Sequence, residues 1–184
     1  MTTAVREARE RREVLLTMAH HPSPVYGREL MFRALRQFAD TRGGVGLAVF
    51  GPGTWSEDFL RDARLHGVEG LLENLGELEH PEALALMERS DVFVRPTTHD
   101  GDAISVREAL ALGVPCVASD VCTRPAGTTT FRAGSAEDLV RQVGQALKKG
   151  PARVESPDAG PVLMKLYDNS IQTTSVGGGI HAAQ

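Results

Sequence analysis

Cysteine is scarce in this chain of 184 residues. Cys116 lies in a segment that reads as a buried strand and Cys122 follows it closely, a spacing that suits neither a disulfide framework nor a thiolate metal site. No apolar run approaches the ~20 residues that span a membrane, and the opening MTTAVREARERRE has no apolar core of the kind a signal peptide carries. Together these absences predict a cytoplasmic protein that does not span a membrane. An excess of positive charge is also missing. The net charge of -4 gives no broad electrostatic attraction to nucleic acid or anionic lipid, so neither is expected as a partner. His20, His21, His66, His80, His99 and His181 stand without ligand spacing, and no metal site follows from them. Gly51-Pro-Gly53 lacks the third glycine of a dinucleotide fingerprint, position 56 being Ser, and reads as a tight turn.

What is present is an alternation of two periodicities. Hydrophobic content of 41% with 24% charged residues suits a globular fold, and the length suits one domain with a real core. Residues 1–12 are charged, with Arg and Glu at mixed spacings, and read as a solvated helix or linker. A strand follows from Glu13 to Ala19, and Gly27 opens a helix over Arg28–Asp40, with Met31, Ala34, Leu35 and Phe38 on one face. The spacing then predicts a strand over Val45–Phe50, a helix over Glu57–His66 ended by Gly67, a strand over Leu71–Leu78, and a helix over His80–Arg89 with Pro81 in its first turn.

The stretch Asp91–Asp120 reads strand, loop, helix, strand: DVFVRP, then THDGDA, then a helix over Ser105–Leu112, then VPCVAS. A sixth strand is predicted over Thr128–Phe131 and a last helix over Ala136–Lys149, with Ser135 as N-cap and Gly150 after its end. Six strands alternating with five helices predict an α/β fold, a doubly wound and mostly parallel six-stranded sheet with helices on both faces, over residues 13–150. Residues 151–184 differ in composition, with one short helix expected around Val162–Asn169 and a mobile end, SVGGGIHAAQ. In sheets of this kind ligands bind where strands end, which directs attention to the loop THDGDAIS. Asp100-Gly101-Asp102 also has the form of a carboxylate pair that holds a divalent metal, but such pairs are common in turns and Asp102 better suits a turn or cap.

From Glu13 to about Lys149 the succession resembles the C-terminal, nucleotide-sugar-binding domain of family 4 retaining glycosyltransferases, group 1, whose GT-B fold sets two Rossmann-like domains across a cleft. The resemblance is carried by Gly27, LAVFGPG, NLGEL, DVFVRPT, DGDAISVREALALGVPCVASD, RPAG and GSAEDL, and covers about three quarters of the chain. It implies transfer of a sugar from a nucleoside-diphosphate donor with retained configuration, without a metal or other cofactor. It also implies an N-terminal acceptor domain, supplied by the full-length protein or a partner chain; without it this chain is expected to fold and bind nucleotide weakly, not to catalyse transfer. The acceptor, the base and the sugar are not specified by the sequence.

The family brackets its donor site with two acidic residues eight positions apart, which fall here on Asp100 and Glu108. By the resemblance, Asp100 would contact hydroxyls of the donor sugar and stabilise positive charge at its anomeric carbon. Glu108, read as lying in the first turn, would accept hydrogen bonds from ribose. Gly101 and the amides of Ala103, Ile104, Ser105 and Val106 would receive the diphosphate at the positive end of the helix. Base contacts are expected along the backbone around Asn74 to Leu78. A competing reading makes Ser105-x-x-Glu108 a capping box. The family also carries an Arg and a Lys that neutralise the leaving diphosphate, and the aligned residues here are His21 and Tyr26. Arg28, Arg95, and His20 or His21 if protonated, are the candidates to replace them. Two alternatives accompany the transferase reading. One is a non-catalytic nucleotide-binding or protein-association module. The other is a nucleotide-sugar epimerase, which would alter free nucleotide sugar without an acceptor.

Overall fold

The computed structural model describes residues 3–150. The helix expected at 162–169 and the end expected to be mobile lie outside the described residues. Six strands among them form one sheet: β1 (Val14–Ala19), β2 (Val45–Phe50), β3 (Leu72–Gly76), β4 (Val92–Arg95), β5 (Cys116–Ser119) and β6 (Thr129–Phe131). Their order is β3-β2-β1-β4-β5-β6, and every pairing is parallel. The runs VLLTMA and VGLAVF are apolar almost without interruption because both faces of the sheet are covered. Leu16, Val49 and Val94 point to one face, where helices α2 (Arg28–Thr41), α3 (Glu57–Leu65) and α6 (Ala136–Lys149) contribute Leu35, Phe59 and Leu139. Leu15, Ala48 and Phe93 point to the other, against α1 (Thr3–Glu10), α4 (His80–Glu88) and α5 (Ile104–Ala111). The chain runs outward from β1 to β3 and then returns to lay β4 on the other flank of β1. The order therefore reverses between β1 and β4, and a crevice opens beyond their C-terminal ends.

Two expectations need correction. Helix α1 is no solvated linker, since Val5 and Ala8, three apart on one face, are fully buried. Its abundant Arg and Glu conceal that stripe. Just beyond it, Arg12 Nε donates to Glu73 Oε1 at 2.7 Å and Arg11 Nη1 to Oε2 at 3.1 Å, binding the N-terminal segment to strand β3. Strand β3 is shorter than expected. A 3-10 turn over Glu69–Leu71 precedes it, and Gly76, with φ of 67°, ends it in a conformation that other side chains avoid. The remaining predicted elements form with ends shifted by no more than two residues, and Ser135 caps α6 by accepting from the Asp138 amide at 3.2 Å.

Candidate functional site

The crevice is shaped first by backbone. Gly27 has φ of 71°, and a Cβ built on it would lie 2.0 Å from the Pro96 carbonyl oxygen. The Thr98 amide donates to the Val25 carbonyl at 2.8 Å. The turn after β1 and the loop after β4 are thereby joined at the place where the strand order reverses.

On this frame sits a buried ionic cluster. Arg95, at the end of β4, donates from Nε and Nη2 to the two oxygens of Asp100, both at 3.1 Å. Arg124, from the loop after β5, donates from Nη1 to Asp100 Oδ2 at 2.7 Å. Thr97 Oγ1 donates to the same oxygen at 3.0 Å, and the Gly101 amide to Oδ1 at 3.2 Å. The side chains of Arg95, Asp100 and Arg124 are 12%, 8% and 3% exposed. Burial alone would raise the Asp100 pKa. Hydrogen bonds from Arg95 and Arg124, the charge of Arg95 and the Thr97 hydroxyl outweigh it and bring the value down to about 2. Arg124 is further fixed by Ser119, whose carbonyl accepts from Nε at 2.9 Å and whose hydroxyl bonds Nη2 at 3.1 Å. Arg95 rests on Tyr26, its guanidinium carbon 4.8 Å from the ring centroid, and His21 stacks against the same ring at 5.2 Å. Burial works against the Arg95 charge, but Asp100 and Tyr26 more than offset it.

Helix α5 begins beside this cluster. Its N-cap position is Ala103, which offers no side-chain oxygen, and Ser105 does not cap the helix. The Val106 amide already bonds the Ala103 carbonyl at 3.1 Å, so of the amides expected to be available, Ile104 and Ser105 are the two that head the helix without a helical acceptor. Ile104 itself is 53% exposed at the rim. Glu108 stands in the second turn, not the first, and the capping box does not form. Its side chain is buried, and Oε1 lies 2.7 Å from His80 Nε2 at the start of α4. Asp102 pairs with Arg107, whose Nε donates to it at 2.7 Å.

Several sequence expectations change here. Asp100 was to face a donor sugar, yet its carboxylate is surrounded by donors from the protein itself. Arg28 turns aside to pair with Asp62 and cover Phe59, so it does not reach the cluster. His20 is 3% exposed against Phe59, and burial, then Arg28 and His21, depress its pKa to about 4. It is therefore uncharged near neutrality and supplies no cation. Four residues of the site escaped sequence reasoning: Thr97, Ser119, Arg124 and His80. Thr97 and Arg124 lie in the DVFVRPT and RPAG stretches, but contacts between a loop and another 22 to 27 residues away leave no local signature.

The model of the glycosyl transferases group 1 family matches residues 12–149. The chain belongs to that family. Within the described residues, this group 1 domain has no helix long and apolar enough to cross a membrane. It is similar to glycogen synthase of Mycobacterium tuberculosis (strain CDC 1551 / Oshkosh), 34% identical over 88 residues that make up 48% of this chain and 21% of that protein. The fold is that of Anabaena Alr3699/HepE in complex with UDP and glucose, with a TM-score of 0.69 at 14% identity, covering 96% of this chain and 53% of that one. It is also that of WaaG, a glycosyltransferase involved in lipopolysaccharide biosynthesis, with a TM-score of 0.62 at 20% identity, covering 80% and 43%. The chain thus spans about half the length of these structural neighbours or less, and about a fifth of the glycogen synthase.

Proposed function

We propose that residues 13–150 are the donor-binding half of a retaining glycosyltransferase that takes its sugar from a nucleoside diphosphate, the acceptor domain being supplied by the full-length protein or a partner chain. The observation that carries this reading is the placement of an uncapped helix head, α5, beside a buried cluster with two guanidiniums and one carboxylate, at the point where the strand order reverses. Both features favour an anion, and a diphosphate is the anion that this location takes in dinucleotide-binding folds. The amides of Ile104 and Ser105 hold it, while Gly101 and Ala103 keep the approach free of bulk. Glu108 accepts from ribose hydroxyls, and the base lies along Asn74 to Leu78. The reading calls on no metal. It agrees with family membership and with the UDP that HepE carries in its complex.

A second reading, a nucleotide-binding module without transferase activity, is favoured by one observation. His21 and Tyr26 stack on each other where the family places its Arg and Lys. Calorimetric titration of this chain with UDP, GDP and ADP tests the shared part of both readings. Binding of one nucleotide, weakened at least tenfold by Glu108→Ala, is expected. A folded chain that binds none of them at millimolar concentration would sink the donor site. Transfer assays with the acceptor domain restored then separate transferase from module.

A further inference from the structure

The donor-site reading leaves Asp100 without the role expected of it, and the geometry supplies another. A carboxylate offers about four lone-pair sites. Five protein groups already donate to Asp100: Arg95 Nε and Nη2, Arg124 Nη1, the Thr97 hydroxyl and the Gly101 amide. A sugar hydroxyl would have to displace one of them. What the carboxylate does instead is grip one edge of Arg95. A guanidinium is planar and carries five N–H donors, so a fork through Nε and Nη2 fixes its plane and turns the Nη1 edge away from the carboxylate.

Arg124 closes the frame from the far side. Its three nitrogens are spent on Asp100, Ser119 and Thr97, and its side chain is 3% exposed, so it reaches no ligand. Tyr26 provides a shelf under Arg95. Position 26 is where the family places its lysine, and the Arg95 charge lies 4.8 Å from the centre of the ring that occupies that position. The positive charge is therefore kept close to where the family holds it but is delivered from a different strand. Within the cluster, two cations against one anion leave one positive charge uncompensated.

We propose that Asp100, Arg124 and Tyr26 are positioning residues that present the Arg95 guanidinium to the diphosphate of a nucleoside-diphosphate ligand, Arg95 thereby standing in for the Arg and Lys that the family carries at positions 21 and 26. The proposal rests on the donor-site reading and adds to it which residue meets the phosphates and what holds it there.

The test compares each nucleoside diphosphate with its own nucleoside, UDP with uridine, GDP with guanosine and ADP with adenosine, on the full chain by NMR titration. The ratio of the two Kd values isolates what the phosphates contribute. Arg95→Gln is expected to reduce that ratio about tenfold and to leave the nucleoside Kd within about twofold. Arg95→Lys should restore part of the loss, because it returns the charge without the fork. Asp100→Asn should reduce the ratio similarly, and adding it to Arg95→Gln should reduce it no further, since both changes act on one contact. If Asp100→Asn does not fold, as judged by circular dichroism, Tyr26→Leu carries the test. It should lower the ratio about three- to fivefold. An unchanged ratio in Arg95→Gln, or additive losses in the double variant, would overturn the proposal while leaving the donor site standing. A wild-type chain that binds none of the six probes would sink both.

Discussion

Gly27 and Pro96 meet through backbone alone: a side-chain carbon at Gly27 would stand 2.0 Å from the Pro96 carbonyl oxygen, closer than any non-bonded pair can approach. The φ of 71° at Gly27 adds a second objection to any larger residue. Gly27→Ala is therefore expected to cost about 3 kcal/mol or more, combining left-handed strain with displacement of the β4 loop. Urea unfolding measures it. A loss below about 1 kcal/mol would mean that the two loops separate easily and that the crevice is not rigid.

Acid should destabilise the domain in two separate windows. The His20 pKa is depressed from 6.5 to about 4, so the unfolded chain takes up its proton first. Its contribution is whole above pH 6.5 and is lost as pH falls toward 4, amounting to about 3 kcal/mol. Neither ring nitrogen has a hydrogen-bond partner among the described residues. His20→Leu is thus expected to stabilise the fold at pH 5 and to flatten this window. Asp100, lowered from 3.8 to about 2, acts below it: its stability is present above pH 4 and drains away between pH 4 and 2. Thermal melts across pH 2 to 8 resolve the two. A His20→Leu profile as steep as wild type between pH 6.5 and 4 would show that some other group titrates there.

Helix α1 belongs to the fold. Removing residues 1–12 would expose the sites that Val5 and Ala8 fill and take both arginines from Glu73, whose side chain is 6% exposed on an edge strand. Leaving a buried carboxylate unpaired is the larger penalty, and a total of about 3–5 kcal/mol is expected. Adding Glu73→Gln to the truncation should recover part of it, because a neutral amide costs less to bury. An unchanged melting temperature on truncation would contradict the packing.

The sheet was legible because its signal is local. Fully apolar strands such as VGLAVF and amphipathic helices such as RELMFRALRQFAD declare themselves within a dozen residues. Family resemblance added Asp100 and Glu108 as a pair, and the structure sets both at one end of the sheet. It did not show that Asp100 would be consumed by Arg95 and Arg124, because an Arg 24 residues downstream leaves no periodic trace. Helix α1 was misread for the opposite reason, two small apolar residues being outvoted by their charged neighbours. Arg28 and Arg95 looked equivalent as candidate cations. Only the packing separated them, giving one Asp62 and the other Tyr26.

Glu108 and His80 make the last prediction. The carboxylate is buried in the second turn of α5, and the imidazole, 51% exposed at the head of α4, bonds it at 2.7 Å. The bond from His80 fixes the orientation of the Glu108 carboxylate, which is what recognition of a ribose diol requires. His80→Ala should therefore weaken nucleoside diphosphate binding by about three- to tenfold, less than the loss from Glu108→Ala, which removes the acceptor itself. Against the 2′-deoxynucleotide, which lacks one of the hydroxyls, the His80 and Glu108 variants should differ little from wild type. Calorimetry with the ribo- and deoxyribonucleotide on the three proteins decides it. Equal losses for both ligands would mean that the pair shapes the crevice without touching the sugar.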